Sequence, residues 1–320
     1  AMLREAGMRV FVGGNLGTPL IDACAAESEY QAAVVEVSSF QLEWVYSFRP
    51  RVAVLLNLTP DHLDRYTDLA QYGRAKAALL AVQQPDDIAV LNRDDPWVWE
   101  QRRNTRAAVI SFGREPVEFG SFVDDDTLIY WGPEATPRRF PLAGVSLQGA
   151  HNRENMMAAA TAAAIWGVST VAIQRALETT TALPHRLELV CERAGIRFFD
   201  DSKGTNVGAM EKSVASFSGS VILLAGGYDK GGDFRVLVPL LRERVKHLVL
   251  FGAAGATIYS QLRDIVPSSI VPDLAAAVRE ADAHATAGDT VLLSPGCASF
   301  DEFADYAARG RRFREVVEAL

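Results

Sequence analysis

A two-domain α/β fold is predicted for this 320-residue sequence, and three observations carry the prediction. Short β-branched apolar runs alternate with helical patterns along the chain, as parallel strands joined by crossover helices do. The length exceeds what a single core usually serves. The alternation is interrupted by Thr179-Thr180-Thr181-Ala182-Leu183-Pro184, whose composition is that of a linker. The boundary is therefore set between 182 and 183. A mostly parallel sheet is expected in 1–182, and an open, doubly wound, Rossmann-like domain in 183–320.

In chain order, residues 9–12, 32–37, 52–56 and 88–91 read as buried strands, and 69–82 as a helix between two of them. Across 105–148 short alternating strands with Gly and Pro turns read as a small antiparallel appendage. Helices follow at 152–166, very rich in alanine, and at 171–178. Beyond the linker, strands are expected near 187–192, 195–199, 220–225, 247–251 and 290–293, with helices between them.

Composition excludes several classes. Hydrophobic residues make up 49% and charged residues 22%, ordinary for a globular enzyme and incompatible with disorder. The net charge is −8, and the short basic cluster at 309–314 reads as a solvated helix face, so no nucleic-acid partner is expected. Cys24, Cys191 and Cys297 are scattered without CxxC spacing, which fits a reducing cytosol rather than a disulfide framework or a zinc site. The longest apolar runs have strand length, and no signal-peptide pattern is present. A cytoplasmic protein without membrane partners is expected; the sequence leaves the oligomeric state open, with a monomer as the expectation.

Polar residues gather where strands should end, the edge at which open α/β sheets bind ligands. Glu36 closes the run 32–37 and could hold a hard cation such as Mg²⁺, or simply cap the following turn. Asp61, His62 and Asp64 follow the run 52–56 in the equivalent position. Lys76 lies among alanines and leucines, where it either snorkels from a helix face or points into the same cleft. Asn152 and Asn155, three apart, share a helical face and can read the edge of a base, although asparagine at a helix start is usually a cap. His185-Arg186 follows the linker, where an arginine could clamp a phosphate. Three further loops, at 200–206, 226–232 and 294–301, carry Lys203, Thr205, Lys230 and Ser299. Each alone is a routine turn; jointly they favour a site for an anionic, carboxylate-bearing substrate.

Taken together, GGNLGTP (13–19), EVSSFQLE (36–43), LNLTPDHLDRY (56–66), the Lys76 helix, HNRENMMAA (151–159), LPHRLE (183–188), DDSKGTNVGA (200–209), GGYDKGGDF (226–234) and SPGCASFDEF (294–303) resemble the Mur ligase family. SSFQLE, GGYDKGGDF and SPGCASFDEF resemble its D-glutamate-adding member in particular. The resemblance implies a central ATPase-type domain, followed by a Rossmann-like one. It also implies ATP-dependent amide formation, with D-glutamate added to UDP-MurNAc-L-Ala through an acyl phosphate.

By motif position, Glu36, His62 and Lys76 look catalytic. Glu36 and His62 resemble Mg²⁺ ligands, and Lys76 the carbamylated lysine that helps hold a second cation. Asn152, Asn155, His185, Arg186 and Asp201 resemble the ATP-handling set. Lys230, Thr205, Ser299, Phe300, Tyr306 and Lys203 resemble the D-glutamate pocket, while Asn15, Ser38 and Gln41 resemble contacts to the UDP-sugar.

The sequence departs from the family at its start. No GxxGK[ST] phosphate loop occurs in these 320 residues, and the uridine-gripping domain that the family carries ahead of it is not present either. On the resemblance, this chain is expected to be inactive or nearly so. A folylpolyglutamate synthase-like ligase and a non-catalytic ligand-binding fragment are the alternatives. A dinucleotide-binding oxidoreductase is disfavoured, because Gly13-Gly14-Asn15-Leu16-Gly17 lacks GxGxxG spacing.

Overall fold

The computed structural model describes residues 1–320 apart from 26–29, 64, 135, 148 and 182, so Asp64 and the linker residue Ala182 lie outside the described residues. The chain divides into one unit of Ala1–Leu58 with Ala70–Thr181 and another of Thr59–Leu69 with Ala182–Leu320.

In the first unit, β1 (Val10–Gly14) and β2 (Ala32–Glu36) pair in parallel, with Gly14 opposite Glu36. They form a two-stranded sheet of their own rather than joining the larger one as the alternation predicts. Nor are these strands buried as expected: β2 is exposed at Ala33, Val34 and Glu36, and Val12 of β1 is half exposed, because apolar composition says neither what covers a strand nor which neighbour accepts its hydrogen bonds. The larger sheet holds β3 (Val52–Leu55), β4 (Ile88–Asn92), β5 (Ala108–Phe112), β6 (Gly120–Asp124), β7 (Thr127–Trp131) and β8 (Arg138–Pro141), side by side in that order.

Residues 105–148 thus extend the main sheet and are no appendage. β5 and β6 continue it in parallel, and only β6–β7 and β7–β8 are antiparallel. The parallel step from β5 to β6 depends on Gly120. Its φ is +128°, and a Cβ there would fall 1.5 Å from the Ser111 carbonyl oxygen, a contact that only glycine avoids. The alanine-rich helix Ala150–Ile165 lies over this sheet and buries Met156, Met157, Ala160 and Ala163 in a core with Val90, Phe112, Leu128 and Phe140.

The second unit contains a six-stranded sheet of β9 (Glu188–Arg193), β10 (Ile196–Asp200), β11 (Val221–Gly226), β12 (Val245–Phe251), β13 (Ser268–Ile270) and β14 (Thr290–Gly296). The order is β13-β12-β11-β14-β10-β9, and every pairing is parallel except β9 with β10. Those two are joined by Ala194-Gly195, with φ of 50° and 76°; a two-residue turn with both φ positive makes a hairpin and leaves no room for a crossover.

Alternate residues of the central strands face opposite cores. Val221, Leu223, Leu248, Leu250 and Leu292 point to one, and Ile222, Leu224, Val249, Phe251, Val291 and Leu293 to the other. Burial on both faces is why these strands read as unbroken apolar runs. β13, only three residues and mostly serine, gave no such signal. Among the described residues, no helix is long and apolar enough to cross a membrane.

Candidate ligand-binding loops

In the first unit, the carboxyl ends of β1 and β2 bring four predicted residues to one edge. The Asn15 amide donates to the Glu36 carbonyl at 2.8 Å. Gly14 has φ +115°, and a Cβ on it would meet the Glu36 carbonyl oxygen at 2.3 Å. Ser38 caps the helix Ser39–Leu42 through a reciprocal box. Its hydroxyl accepts from the Gln41 amide at 3.3 Å, and its own amide donates to Gln41 Oε1 at 2.9 Å. Much of the hydrogen-bonding capacity of Ser38 and Gln41 is therefore spent on local structure. Beside them opens a cavity of about 630 Å³, lined by Gly14, Glu36, Phe40, Gln41 and Trp44 among others. Its size suits a small-molecule ligand.

Also in this unit, Lys76 sits half-buried in the helix Leu69–Ala81, with its ammonium 4.8 Å from the centroid of the Tyr72 ring. Asn152 and Asn155 lie in the first turns of Ala150–Ile165, and the N-cap position belongs to Gly149 at φ 93°. Neither asparagine is the cap, so the capping alternative does not account for them.

In the second unit, the three predicted loops follow β10, β11 and β14, which are neighbours in the sheet. They are stitched together by the backbone: Gly296 N–H donates to Gly204 O at 2.9 Å, and Tyr228 and Ala298 exchange hydrogen bonds at 2.8 and 3.0 Å. Lys203 Nζ reaches the Tyr306 hydroxyl at 3.4 Å and lies 4.9 Å from its ring centroid. Ser299 is buried, whereas Phe300 is 72% exposed.

Lys230 Nζ donates to Asp61 Oδ1 at 2.5 Å, and Asn206 donates to Asp61 Oδ2 at 3.0 Å. Thr205, Lys230 and Asp61 enclose a space of about 10 Å³, roughly one water. A ligand carboxylate arriving here would compete with Asp61 for the lysine. His62 stands next to Asp61 with φ 55°, its backbone amide bonded to Asp61 Oδ1 at 2.8 Å. By segment, Glu36 and Lys76 belong to the first unit and His62 to the second.

His185, at φ 63°, places Nδ1 2.6 Å from Asp200 Oδ2, and its amide donates to Glu188 Oε2 at 3.0 Å. Arg186 Nε is buried with no hydrogen-bond partner among the described residues, a state that normally signals a missing ligand or water. The Asp201 carboxylate turns inward, accepting from the Ser213 and Ser294 hydroxyls at 2.6 and 2.8 Å. Burial, the largest influence, raises its pKa to about 6 against the pull of those two bonds.

Arg309 corrects the reading of 309–314 as a solvated face. It is completely buried, and its guanidinium donates to Ser202 Oγ and to the carbonyls of Ser202, Cys297 and Ala298 at 2.8–3.1 Å. Arg314, part-buried, pairs with Glu188 at 2.6 Å, while Arg311 and Arg312 do face solvent. One signal was available. In the helix Tyr306–Glu318, Arg309 falls four residues before Phe313, on the stripe continued by Val316 and Val317.

These loops belong to a recognisable lineage. Residues 1–163 match the Mur ligase middle domain, and residues 185–297 match the Mur ligase glutamate ligase domain. The chain is 44% identical to the UDP-N-acetylmuramoylalanine--D-glutamate ligase of Syntrophus aciditrophicus, over all of this chain and 71% of that protein. It is also 44% identical to the enzyme of the same name from Geobacter metallireducens, over 98% of this chain and 69% of that one. Among solved structures, a pseudomurein peptide ligase type C from Methanothermus fervidus superposes with a TM-score of 0.74 at 16% identity, covering 99% of this chain and 74% of its own. FolC from E. coli, in complex with DHPP and ADP, gives 0.69 at 18%, covering 99% and 84%. At those identities the two structures speak for the fold alone. With both domains matched in order and relatives this similar over the full chain, the protein belongs to the Mur ligase family.

Proposed function

We propose that this chain carries the amino-acid-binding and much of the nucleotide-binding surface of an ATP-dependent amide ligase that joins D-glutamate to UDP-MurNAc-L-Ala. The observation that carries this reading is the set of three stitched loops after β10, β11 and β14, which gathers Lys203, Thr205, Lys230, Ser299, Phe300 and Tyr306 at one sheet edge. Two cations, Lys203 and Lys230, and the hydroxyls of Thr205, Ser299 and Tyr306 suit the two carboxylates of glutamate. The name shared by the 44%-identical relatives supports the D-isomer and the UDP-sugar acceptor.

In the proposed reaction, a carboxylate oxygen of the acceptor attacks the γ-phosphorus of ATP and ADP departs. The amine of D-glutamate then attacks the acyl carbon, phosphate leaves and the amine proton is lost. Lys230, Thr205 and Ser299 orient the amino acid, with Lys203 held by Tyr306. In the first unit Asn152 and Asn155 are the proposed nucleotide contacts; in the second unit Arg186, with its orphaned Nε, and His185, fixed by Asp200, are. Asp201 orders their loop from within.

The donor chemistry around Glu36 fits Mg²⁺: a carboxylate at a strand end, lining an open cavity. In the first unit Glu36 would be a Mg²⁺ ligand and Lys76, as a carbamate, a ligand to a second ion; in the second unit His62 is the proposed Mg²⁺ ligand. Such an ion supplies charge neutralisation on the phosphoryl oxygens.

The test is ADP release with UDP-MurNAc-L-Ala and either D- or L-glutamate, in a polypeptide that carries a GxxGK[ST] segment ahead of residue 1. Turnover with D-glutamate and none with L-glutamate is expected. Turnover with another amino acid and none with D-glutamate would sink the assignment. A folylpolyglutamate-type ligase would accept L-glutamate, and the likeness to FolC supports its fold only.

A further inference from the structure

At the amino end of the parallel strands, opposite the edge that carries the glutamate loops, two of the five histidines in the chain meet. His247 is the third residue of β12, on the same sheet face as Val249 and Phe251. That face is covered by the helix Leu274–His284, whose Leu274, Ala277, Val278 and Ala281 form its buried stripe. Glu280 and His284, four apart, flank that stripe one turn from each other. The His247 and His284 rings stack with centroids 3.8 Å apart and planes inclined by 16°.

Every polar end in the cluster faces the same spot. Ser269, on the neighbouring strand β13, donates to Glu280 Oε1 at 2.7 Å and contacts His247 Nε2 at 2.8 Å. His284 Nε2 lies 3.2 Å from the same carboxylate oxygen. One ring nitrogen from each histidine and a Glu280 oxygen all fall within 4.8 Å of one another.

We propose that His247, Glu280 and His284 form a binding site for a divalent transition metal, Zn²⁺ in the first instance, separate from the ligase site. Two imidazoles and one carboxylate, with a fourth position left to water, are a complete protein ligand set for zinc. Helical ligands four residues apart with a third from another element are a recurrent way of building one. In a tetrahedral site with Zn–N near 2.0–2.1 Å, ligand atoms stand about 3.3 Å apart. His284, 42% exposed, and Glu280, 35% exposed, can close the remaining gap by rotation, while the buried His247 stays fixed. The ion would tie the helix to β12.

Zn²⁺ is titrated calorimetrically into the intact chain in chelator-free buffer, with His284→Ala, Glu280→Gln and His185→Ala as variants. The last removes a second cluster of suitable donors found among the described residues, His185 with Glu188 and Asp200. Saturable binding of one Zn²⁺ that His284→Ala and Glu280→Gln each weaken at least tenfold, and that His185→Ala leaves in place, is the expected result. Both informative positions are partly solvent-exposed, and circular dichroism verifies their folding. Absence of saturable binding, or binding that persists unchanged in His284→Ala, overturns the proposal. So does binding that is lost only in His185→Ala.

Discussion

Arg309 keeps a full positive charge at zero exposure because three carbonyl oxygens and one serine hydroxyl surround its guanidinium. Burial lowers its pKa to about 10, still well above neutrality, so the charge persists at pH 7. Its acceptors come from two different loops, 202 and 297–298, and the side chain acts as the rivet between them. Arg309→Met fills the volume but strands those carbonyls in a dry interior. We expect a loss of about 3–5 kcal/mol of stability, the range for breaking a buried charged network, read as a lower urea midpoint. Lysine in its place recovers less than half, since one ammonium cannot span both loops. Lys76 presents a different problem at this scale, because its proposed role needs a carbamate that reverses its charge. In a turnover-competent polypeptide, Lys76→Ala should reduce kcat at least a hundredfold, with the midpoint of unfolding nearly unchanged. A variant with near-normal rates would remove the carbamate from the mechanism.

At the scale of elements, the helix Tyr306–Glu318 packs against β9 and β10 and comes close to the His185–Asp200 pair at Gly310. Gly310 makes this possible. A Cβ at that position would stand 2.1 Å from His185 Nδ1 and 2.7 Å from Asp200 Oδ2. The conformation is ordinary helix, so the requirement is for space rather than for backbone freedom. Gly310→Ala would gain up to about 1 kcal/mol in helix propensity and lose more by prising apart the His185–Asp200 pair. A net destabilisation of about 1–3 kcal/mol, the usual cost of overpacking, is expected in thermal unfolding, together with weaker ADP binding. A neutral or stabilised variant would show that the helix can retreat without cost.

For the molecule as a whole, the buried Asp201 sets a pH dependence with a definite sign. Its folded pKa, about 6, lies above the model-compound value of 3.8. The folded state therefore binds the extra proton, and the associated stability is fully present below about pH 4 and lost as pH rises through 6. The shift of roughly two units corresponds to about 3 kcal/mol. Asp201→Asn should be insensitive to this titration, so the stability of the variant relative to the parent should rise between pH 4 and 7. Equal slopes for the two proteins, measured by urea unfolding at several pH values, would show that the carboxyl is hydrated after all. The same loop carries part of the proposed nucleotide site, and the ADP affinity of the variant tests how far Asp201 orders it.

Much of this was legible in the linear text. The runs at 220–225, 247–251 and 290–293 fell on β11, β12 and β14 because strands buried on both faces are apolar at every position. The loops after β10, β11 and β14 could be placed at one sheet edge, as a candidate site, because Gly, Lys, Thr and Ser cluster at strand ends. What stayed hidden was pairing. Nothing in the run 32–37 says that β2 joins β1 alone, and nothing in 105–148 says that Gly120 allows a parallel step, since both depend on which backbone edge lies alongside. Partner choice was hidden too: Lys230 with Asp61, His185 with Asp200, and Arg309 with two loops it never meets in sequence. The sequence by itself determined the family, the strand-end chemistry and the alternation of elements, because local composition and periodicity encode them. The tertiary structure alone decided which charges are buried and what neutralises them, because burial and pairing belong to the packed chain and not to any segment of it.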